Sequence, residues 1–166
     1  MTLDIVIALK GQDFIEGLLL HPHLTSLSVT SLLNCYILIV EHPKYCLVFS
    51  KDSFYAKFVQ WLVESLQKAK DEAIRKISLL VFVAILRKPD SLKGIEEAFS
   101  SDIFCENQNL VHFFVREFIQ SADQNVKAAS LEAVFIISNL HASKLKIDKI
   151  LSEQNFNEEM ESYLVK

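Results

Sequence analysis

Glycine, proline and cysteine are scarce in this chain: each occurs only 3 times in 166 residues. Sandwiches, barrels and collagen-like folds need turn residues at short intervals, so the scarcity of glycine and proline argues against all of them. Three cysteines are too few for a disulfide scaffold, and the odd count indicates free thiols in a reducing compartment. Because 51% of the residues are hydrophobic, we expect an ordered fold that is held by an apolar core.

Long hydrophobic runs and a strong charge of one sign are also missing. The longest uninterrupted apolar run, 79–86, is far shorter than the roughly 20 residues that a bilayer needs, so we expect no membrane-spanning helix. Asp4 stands where a secretory signal would be basic, and we therefore expect an intracellular protein of the cytoplasm or nucleus. The formal net charge of -4 provides no bulk attraction to nucleic acid or to anionic lipid.

Apolar residues recur at helical spacing along most of the chain, and no stretch alternates with the period of a strand. Breaks in this pattern fall at turn signals such as His21-Pro22 and Lys88-Pro89. We therefore predict an all-α fold. The predicted helices are 2–10, 12–20, 24–41, 43–50, 53–69, 71–87, 91–100, 107–120, 124–141, 144–152 and 156–165.

An internal repeat is the most informative feature of the sequence. A shift of 52 residues places Ile74 on Val126 and Asp71 on Asp123, and both aspartates are predicted to cap a helix N-terminus. The same shift aligns the apolar positions of the preceding helix, which are Phe58, Val59, Leu62, Val63 and Leu66 on Leu110, Val111, Phe114, Val115 and Phe118. Helical periodicity alone would not match a turn and a second helix as well, so we predict a duplicated helix pair.

A weaker copy lies upstream, where a shift of 45 residues places Val29 on Ile74. The predicted unit is a short helix followed by a long antiparallel pair, repeated about three times. The units are approximately 1–42, 43–88, 89–141 and a partial 142–166. Both ends of the chain are apolar, so we expect a piece of a longer protein or an array whose ends are covered by a partner.

The start of each long helix resembles a known repeat signature. Residues 71–75 and 123–127 read Asp-x-x-Ile-Arg and Asp-x-x-Val-Lys, which resembles the Asp-x-x-Val-Arg signature of HEAT repeats, and 132–140 looks like the third helix of an armadillo repeat. The resemblance to the armadillo/HEAT superfamily implies a right-handed α-solenoid that forms one domain over 1–166. It also implies a non-enzymatic scaffold that binds a peptide or helix of another protein.

In such solenoids the helices of this type line the concave face, where side chains four residues apart form a stripe. The predicted partner-binding residues are Arg75, Leu79, Val83 and Arg87 in one copy and Lys127, Leu131, Phe135 and Asn139 in the next. The 45-residue shift carries the stripe onto Thr30, Asn34, Leu38 and His42 in the weaker copy. Each stripe has an apolar middle for affinity and polar ends for register. Alternatively, the apolar middle is core between adjacent repeats.

A second predicted surface is aromatic. Trp61 maps onto Phe113 under the 52-residue shift, and both lie beside the main apolar face of their helix. They are candidate anchors for a partner on the convex side, because aromatic side chains dominate binding hot spots. The alternative is that they pack between repeats.

No motif in the sequence predicts an enzyme, a cofactor or a metal site. His21 with His23, and His42 with Cys46, offer ligand atoms, but neither pair supplies the three or four converging ligands that zinc needs. The glycines are isolated, so there is no phosphate-binding loop.

Two other functions remain open from the sequence. Basic residues at one helix–helix turn and in a later group would suit a nucleic-acid-associated scaffold that contacts phosphates, although the net acidic charge weighs against it. These residues are Lys68, Lys70, Arg75 and Lys76, and then Lys144, Lys146 and Lys149. A homo-oligomer that pairs through exposed repeat ends is the other alternative.

Overall fold

The computed structural model describes residues 11–42, 54–88, 108–139, 151–152 and 156–165. Every regular element within these ranges is an α-helix, which confirms the predicted all-α class. None of the helices in these ranges combines the length and hydropathy that a membrane span requires. The predicted helices 2–10, 43–50 and 91–100, and most of 144–152, lie outside the described residues. The chain divides into two compact units, Met1–Ser91 and Leu92–Lys166.

The first unit contains two helix pairs. They are α1 (Gly11–Leu19) with α2 (Ser26–Glu41), and α3 (Phe54–Lys68) with α4 (Glu72–Leu86). Besides the packing within each pair, α1 packs against α3 and α2 packs against α4. The first helices of the two pairs are therefore neighbours, and so are the second helices.

The C-terminal ends of α2 and α4 meet. Arg87, which follows α4, forms an ion pair with Glu41 of α2, with Nη1 3.6 Å from Oε1. Lys88 Nζ donates a hydrogen bond of 3.4 Å to the carbonyl oxygen of His42. An exposed ion pair of this kind stabilises the fold by at most about 1 kcal/mol. Since both contacts join the same ends of the two helices, α2 and α4 run in the same direction.

The second unit contains α5 (Gln108–Gln120), α6 (Gln124–Ser138) and α7 (Phe156–Leu164). α5 packs along α6, and α7 contacts α5. The ring centroid of Phe118 on α5 lies 5.2 Å from that of Phe156 and 5.5 Å from that of Tyr163, both on α7. Aromatic contacts at these distances stabilise the packing of α7 on α5.

Both α4 and α6 are capped at the N-terminus by an aspartate, as predicted. Asp71 has φ -81° and ψ 116°, and Asp123 has φ -85° and ψ 118°, so both caps are extended. The Asp71 carboxylate accepts the backbone N–H of Ala73 at 2.9 Å, and the Asp123 carboxylate accepts that of Asn125 at 2.8 Å. Each bond satisfies an N–H group that has no partner within the helix. The 52-residue shift therefore relates the caps as well as the helices.

The two units also bury the same positions of the repeat. Equivalent side chains with 6% exposure or less include Phe58 and Leu110, Leu62 and Phe114, Leu66 and Phe118, Phe82 and Val134, and Ile85 and Ile137. A shared cap could arise by chance, whereas a shared core across two helices requires the same packing of one helix on the other.

Ser78 and Ser130 are equivalent buried serines. Each is 0% exposed, and within the described part of the chain neither Oγ has a hydrogen-bond partner. A buried hydroxyl without a partner costs roughly 1–3 kcal/mol in desolvation. Each serine therefore lowers the stability of its unit.

We expect Ser78→Ala and Ser130→Ala each to raise the free energy of unfolding by about 1 kcal/mol, because alanine removes the unsatisfied hydroxyl and favours the helix. Urea denaturation followed by circular dichroism measures the change. Ser138→Ala is the matched control, since the Ser138 Oγ donates to the carbonyl of Phe135 at 2.9 Å, and it should bring no gain. A loss of stability in both Ser78→Ala and Ser130→Ala would contradict the conclusion that these two hydroxyls are buried without hydrogen-bond partners.

Candidate partner-binding surface

The predicted stripe on α6 lies at the surface. Phe135 is 68% exposed, and Leu131, one turn earlier, is half-buried. Lys127 is half-buried and Asn139 is exposed. Since the four residues are spaced by four, they follow one side of the helix. The structure therefore brings them together in a strip with an exposed aromatic ring near its C-terminal end.

Lys127 is engaged within the helix pair. Its Nζ donates to the carbonyl oxygen of Ile119 at 3.4 Å and lies 6.0 Å from the ring centroid of Phe118. Ile119 lies in the last turn of α5, where free carbonyl groups and the helix dipole favour a cation. Lys127 thus stabilises the α5–α6 turn.

Asn139 closes the C-terminal end of α6. Its Nδ2 donates to the carbonyl oxygen of Phe135 at 2.8 Å, and its backbone N–H donates to Ile136 at 3.2 Å. These bonds satisfy carbonyl groups that the helix itself leaves free. They also hold the backbone of the turn that carries the Phe135 ring, so this ring stands on an ordered helix end.

The equivalent stripe on α4 is mostly buried. Leu79 is 1% exposed and Val83 is 2% exposed, on a helix that packs against both α2 and α3. Leu79 and Val83 are therefore core residues, as the alternative prediction has it, and neither side chain is at the surface. At the ends of the stripe, Arg75 is half-buried with a buried Nε, and Arg87 is exposed beside Glu41.

The stripe of the weaker copy, on α2, is more exposed. Leu38 is 60% exposed, and Asn34 is exposed with its Nδ2 donating to the carbonyl of Thr30 at 2.9 Å. Thr30 and His42 are half-buried. An apolar side chain thus stands at the surface here as well, flanked by polar groups that bond to their own helix.

The two aromatic candidates differ in accessibility. Phe113 is 6% exposed, and its ring meets that of Phe114 edge-on at 5.5 Å. Packing is therefore the role that the structure gives Phe113. Trp61 is half-buried and stacks on Phe58 with the ring centroids 6.0 Å apart, so part of the indole ring remains at the surface.

The remaining polar candidates are dispersed. Among the described residues, no three His, Cys, Asp or Glu side chains are grouped as metal ligands. The rings of His21 and His23 lie 5.7 Å apart, and Cys46 lies outside the described residues. Lys68 and Lys70 are exposed at the α3–α4 turn, and the later basic group at 144–149 lies outside the described residues.

Sequence reasoning missed a buried carboxyl group in the first unit. Glu16 of α1 is 2% exposed, and its Oε1 accepts a hydrogen bond of 2.6 Å from the hydroxyl of Tyr36 on α2. The signal was its position three residues before Leu19, which places it on the side of α1 that packs inward. Because acidic residues are usually exposed, the sequence pattern alone predicts a solvated Glu16.

No protein-family model, curated protein or solved structure matches this chain. The resemblance to armadillo/HEAT repeats therefore rests on the amino-acid sequence alone.

Proposed function

We propose that this protein is a non-enzymatic interaction module, an armadillo/HEAT-like α-solenoid that binds a helix of another protein along α6. The packing within the first unit supports the architecture. Each first helix has a first helix as its neighbour, each second helix has a second helix, and α2 and α4 run in the same direction. Stacking of equivalent helices between successive pairs is how a solenoid extends its core.

The observation that carries the proposal is the contrast between Val83 and Phe135. The 52-residue shift makes them equivalent, yet Val83 is 2% exposed and Phe135 is 68% exposed. α4 packs against both α2 and α3, whereas among the described residues α6 packs against α5. We infer that a helix placed beside α6, as α2 is placed beside α4, would bury the Phe135 position. Burying a phenylalanine ring stabilises an association by roughly 1.5–3 kcal/mol, so Phe135 is a strong candidate anchor.

An amphipathic helix is the partner that suits this strip. Ala128 is exposed on the same side as Leu131 and Phe135, which gives the spacing i, i+3 and i+7 of helix–helix contacts. The small alanine allows a partner helix to approach closely, and the larger side chains provide the apolar contact. The partner should therefore present an apolar stripe at the same helical spacing.

The binding surface is tested by a crosslinking experiment on the intact chain. A photo-crosslinking amino acid is placed at position 135 and, as a matched control, at position 14, since Phe14 is 70% exposed on α1. The protein captured from position 135 is purified, and its affinity is measured for the wild type, Phe135→Asp and Phe14→Asp. We expect Phe135→Asp to weaken binding by roughly 30-fold, the equivalent of about 2 kcal/mol, and Phe14→Asp to bind as the wild type does.

Equal affinity of all three proteins would remove α6 as the binding surface. Equal weakening in both variants would also contradict the proposal, because a general effect of added charge would then explain the loss. A crosslink between two copies of the chain, with a dimer in sedimentation, would show self-association in place of a different partner protein.

A further inference from the structure

The buried carboxyl of Glu16 lies where three helices meet. The Tyr36 hydroxyl on α2 donates to Glu16 on α1 at 2.6 Å, and the Tyr36 ring lies 4.7 Å from the ring of Phe58 on α3. All three side chains are 2% exposed or less. Since α1 packs against both α2 and α3, this cluster joins α1 to the rest of the unit.

Glu16 is accompanied on α1 by buried apolar residues. Beside it on α1, Ile15 is 8% exposed and Leu19 is 2% exposed. Asp13, one turn earlier on α1, is exposed, and Tyr36 is the ionisable group that faces the carboxyl from α2. The other described ionisable side chains on α2 and α3 are all exposed. They are Cys35 and Glu41 on α2, and Lys57, Glu64 and Lys68 on α3. Among the described side chains of α1, α2 and α3, no buried cation is present to balance an ionised Glu16.

Burial in this setting favours the protonated carboxyl. Desolvation raises the pKa of Glu16 from 4.5 to about 7, while the Tyr36 hydrogen bond lowers it and the charge of Asp13 raises it. The folded state holds the Glu16 proton more tightly than the unfolded state does. The contribution of this proton to the stability of the folded state is therefore complete below pH 4.5. It decreases as the pH rises from there and is lost above about pH 7.

We propose that α1 is held on α2 and α3 by a proton-dependent contact, in which the neutral Glu16 carboxyl permits docking and its ionisation releases the helix. Release of α1 would expose the apolar surface of α2 and α3 around Tyr36 and Phe58. The first unit would thus contain a pH-sensitive switch that acts near neutral pH. Its residues all belong to the first unit, whereas the proposed α6 surface belongs to the second.

The test is hydrogen exchange of the α1 backbone amides in the intact chain at pH 5.5 and pH 8.5, corrected for intrinsic exchange rates. In the wild type we expect the protection of α1 to decrease by roughly 30-fold between the two pH values, because the pKa of Glu16 is raised from 4.5 to about 7. Glu16→Gln keeps the shape and the acceptor oxygen without the charge. It should show equal protection at both pH values and greater protection than the wild type at pH 8.5.

Two further variants should shift the pH midpoint of the change in α1 protection in opposite directions. Asp13→Asn removes a nearby negative charge from an exposed position, so the midpoint of the transition should move to lower pH. Tyr36→Phe removes the hydrogen bond to the carboxyl, so the midpoint should move to higher pH. The proposal is overturned if the wild type and Glu16→Gln share one pH profile, or if neither Asp13→Asn nor Tyr36→Phe moves the midpoint.

Discussion

Val83→Asp is expected to unfold the first unit, whereas Phe135→Asp, at the equivalent position of the repeat, should leave the second unit folded. Val83 is 2% exposed, and an unpaired carboxylate buried there would cost about 4 kcal/mol or more, a large part of the stability of a small domain. Phe135 is 68% exposed, so the aspartate would remain solvated and change the free energy of unfolding by less than about 1 kcal/mol.

Circular dichroism and hydrogen exchange of α4 and α6 in the intact chain measure both effects. Val83→Ala serves as the control for the first position, because it removes only part of a buried aliphatic side chain and should cost about 2 kcal/mol. If Val83→Asp and Phe135→Asp had the same effect on stability, the distinction between a core position and a surface position would be wrong. The pair also shows whether Phe135→Asp is folded when it is used in the binding measurement.

Phe114→Ala should destabilise the second unit by about 4 kcal/mol. The ring is 0% exposed on α5, where it packs edge-on against Phe113, so truncation removes apolar burial and leaves a cavity. In urea denaturation the midpoint for this unit should fall by roughly 2 M.

The matched control is Phe14→Ala, because Phe14 is 70% exposed and its truncation should change stability by less than about 0.5 kcal/mol. An effect of Phe114→Ala as small as that of Phe14→Ala would mean that the α5–α6 pair is not a cooperative core. That result would also weaken the evidence for the 52-residue repeat, since Phe114 is the counterpart of the buried Leu62.

The helices themselves were largely predictable from the sequence. The prediction of 71–87 compares with Glu72–Leu86 in the structure, and that of 107–120 compares with Gln108–Gln120. The cap at Asp71 was predictable for the same reason: helix ends depend on hydrogen bonds between residues two or three positions apart. These signals are local, so the amino-acid order alone contains them.

The candidate surface was only partly predictable. Val83 and Phe135 occupy the same place in the repeat pattern, and nothing in their spacing distinguishes a buried residue from an exposed one. The difference depends on which helices pack against that side. Lys127 and Asn139 were predicted as polar ends of a groove, and the structure adds that both bond to backbone carbonyls at helix ends.

Amino-acid order by itself determined where the described helices begin and end, which aspartates cap them, and which positions the two copies share. Helices form through bonds between residues about four positions apart, so neighbours along the chain suffice to specify them. Only the tertiary structure decided that Glu16 lies buried beside Tyr36, that Val83 is core, and that the Phe135 ring is at the surface. Burial depends on side chains that are distant in sequence, because it is the packing of one helix on another that excludes water.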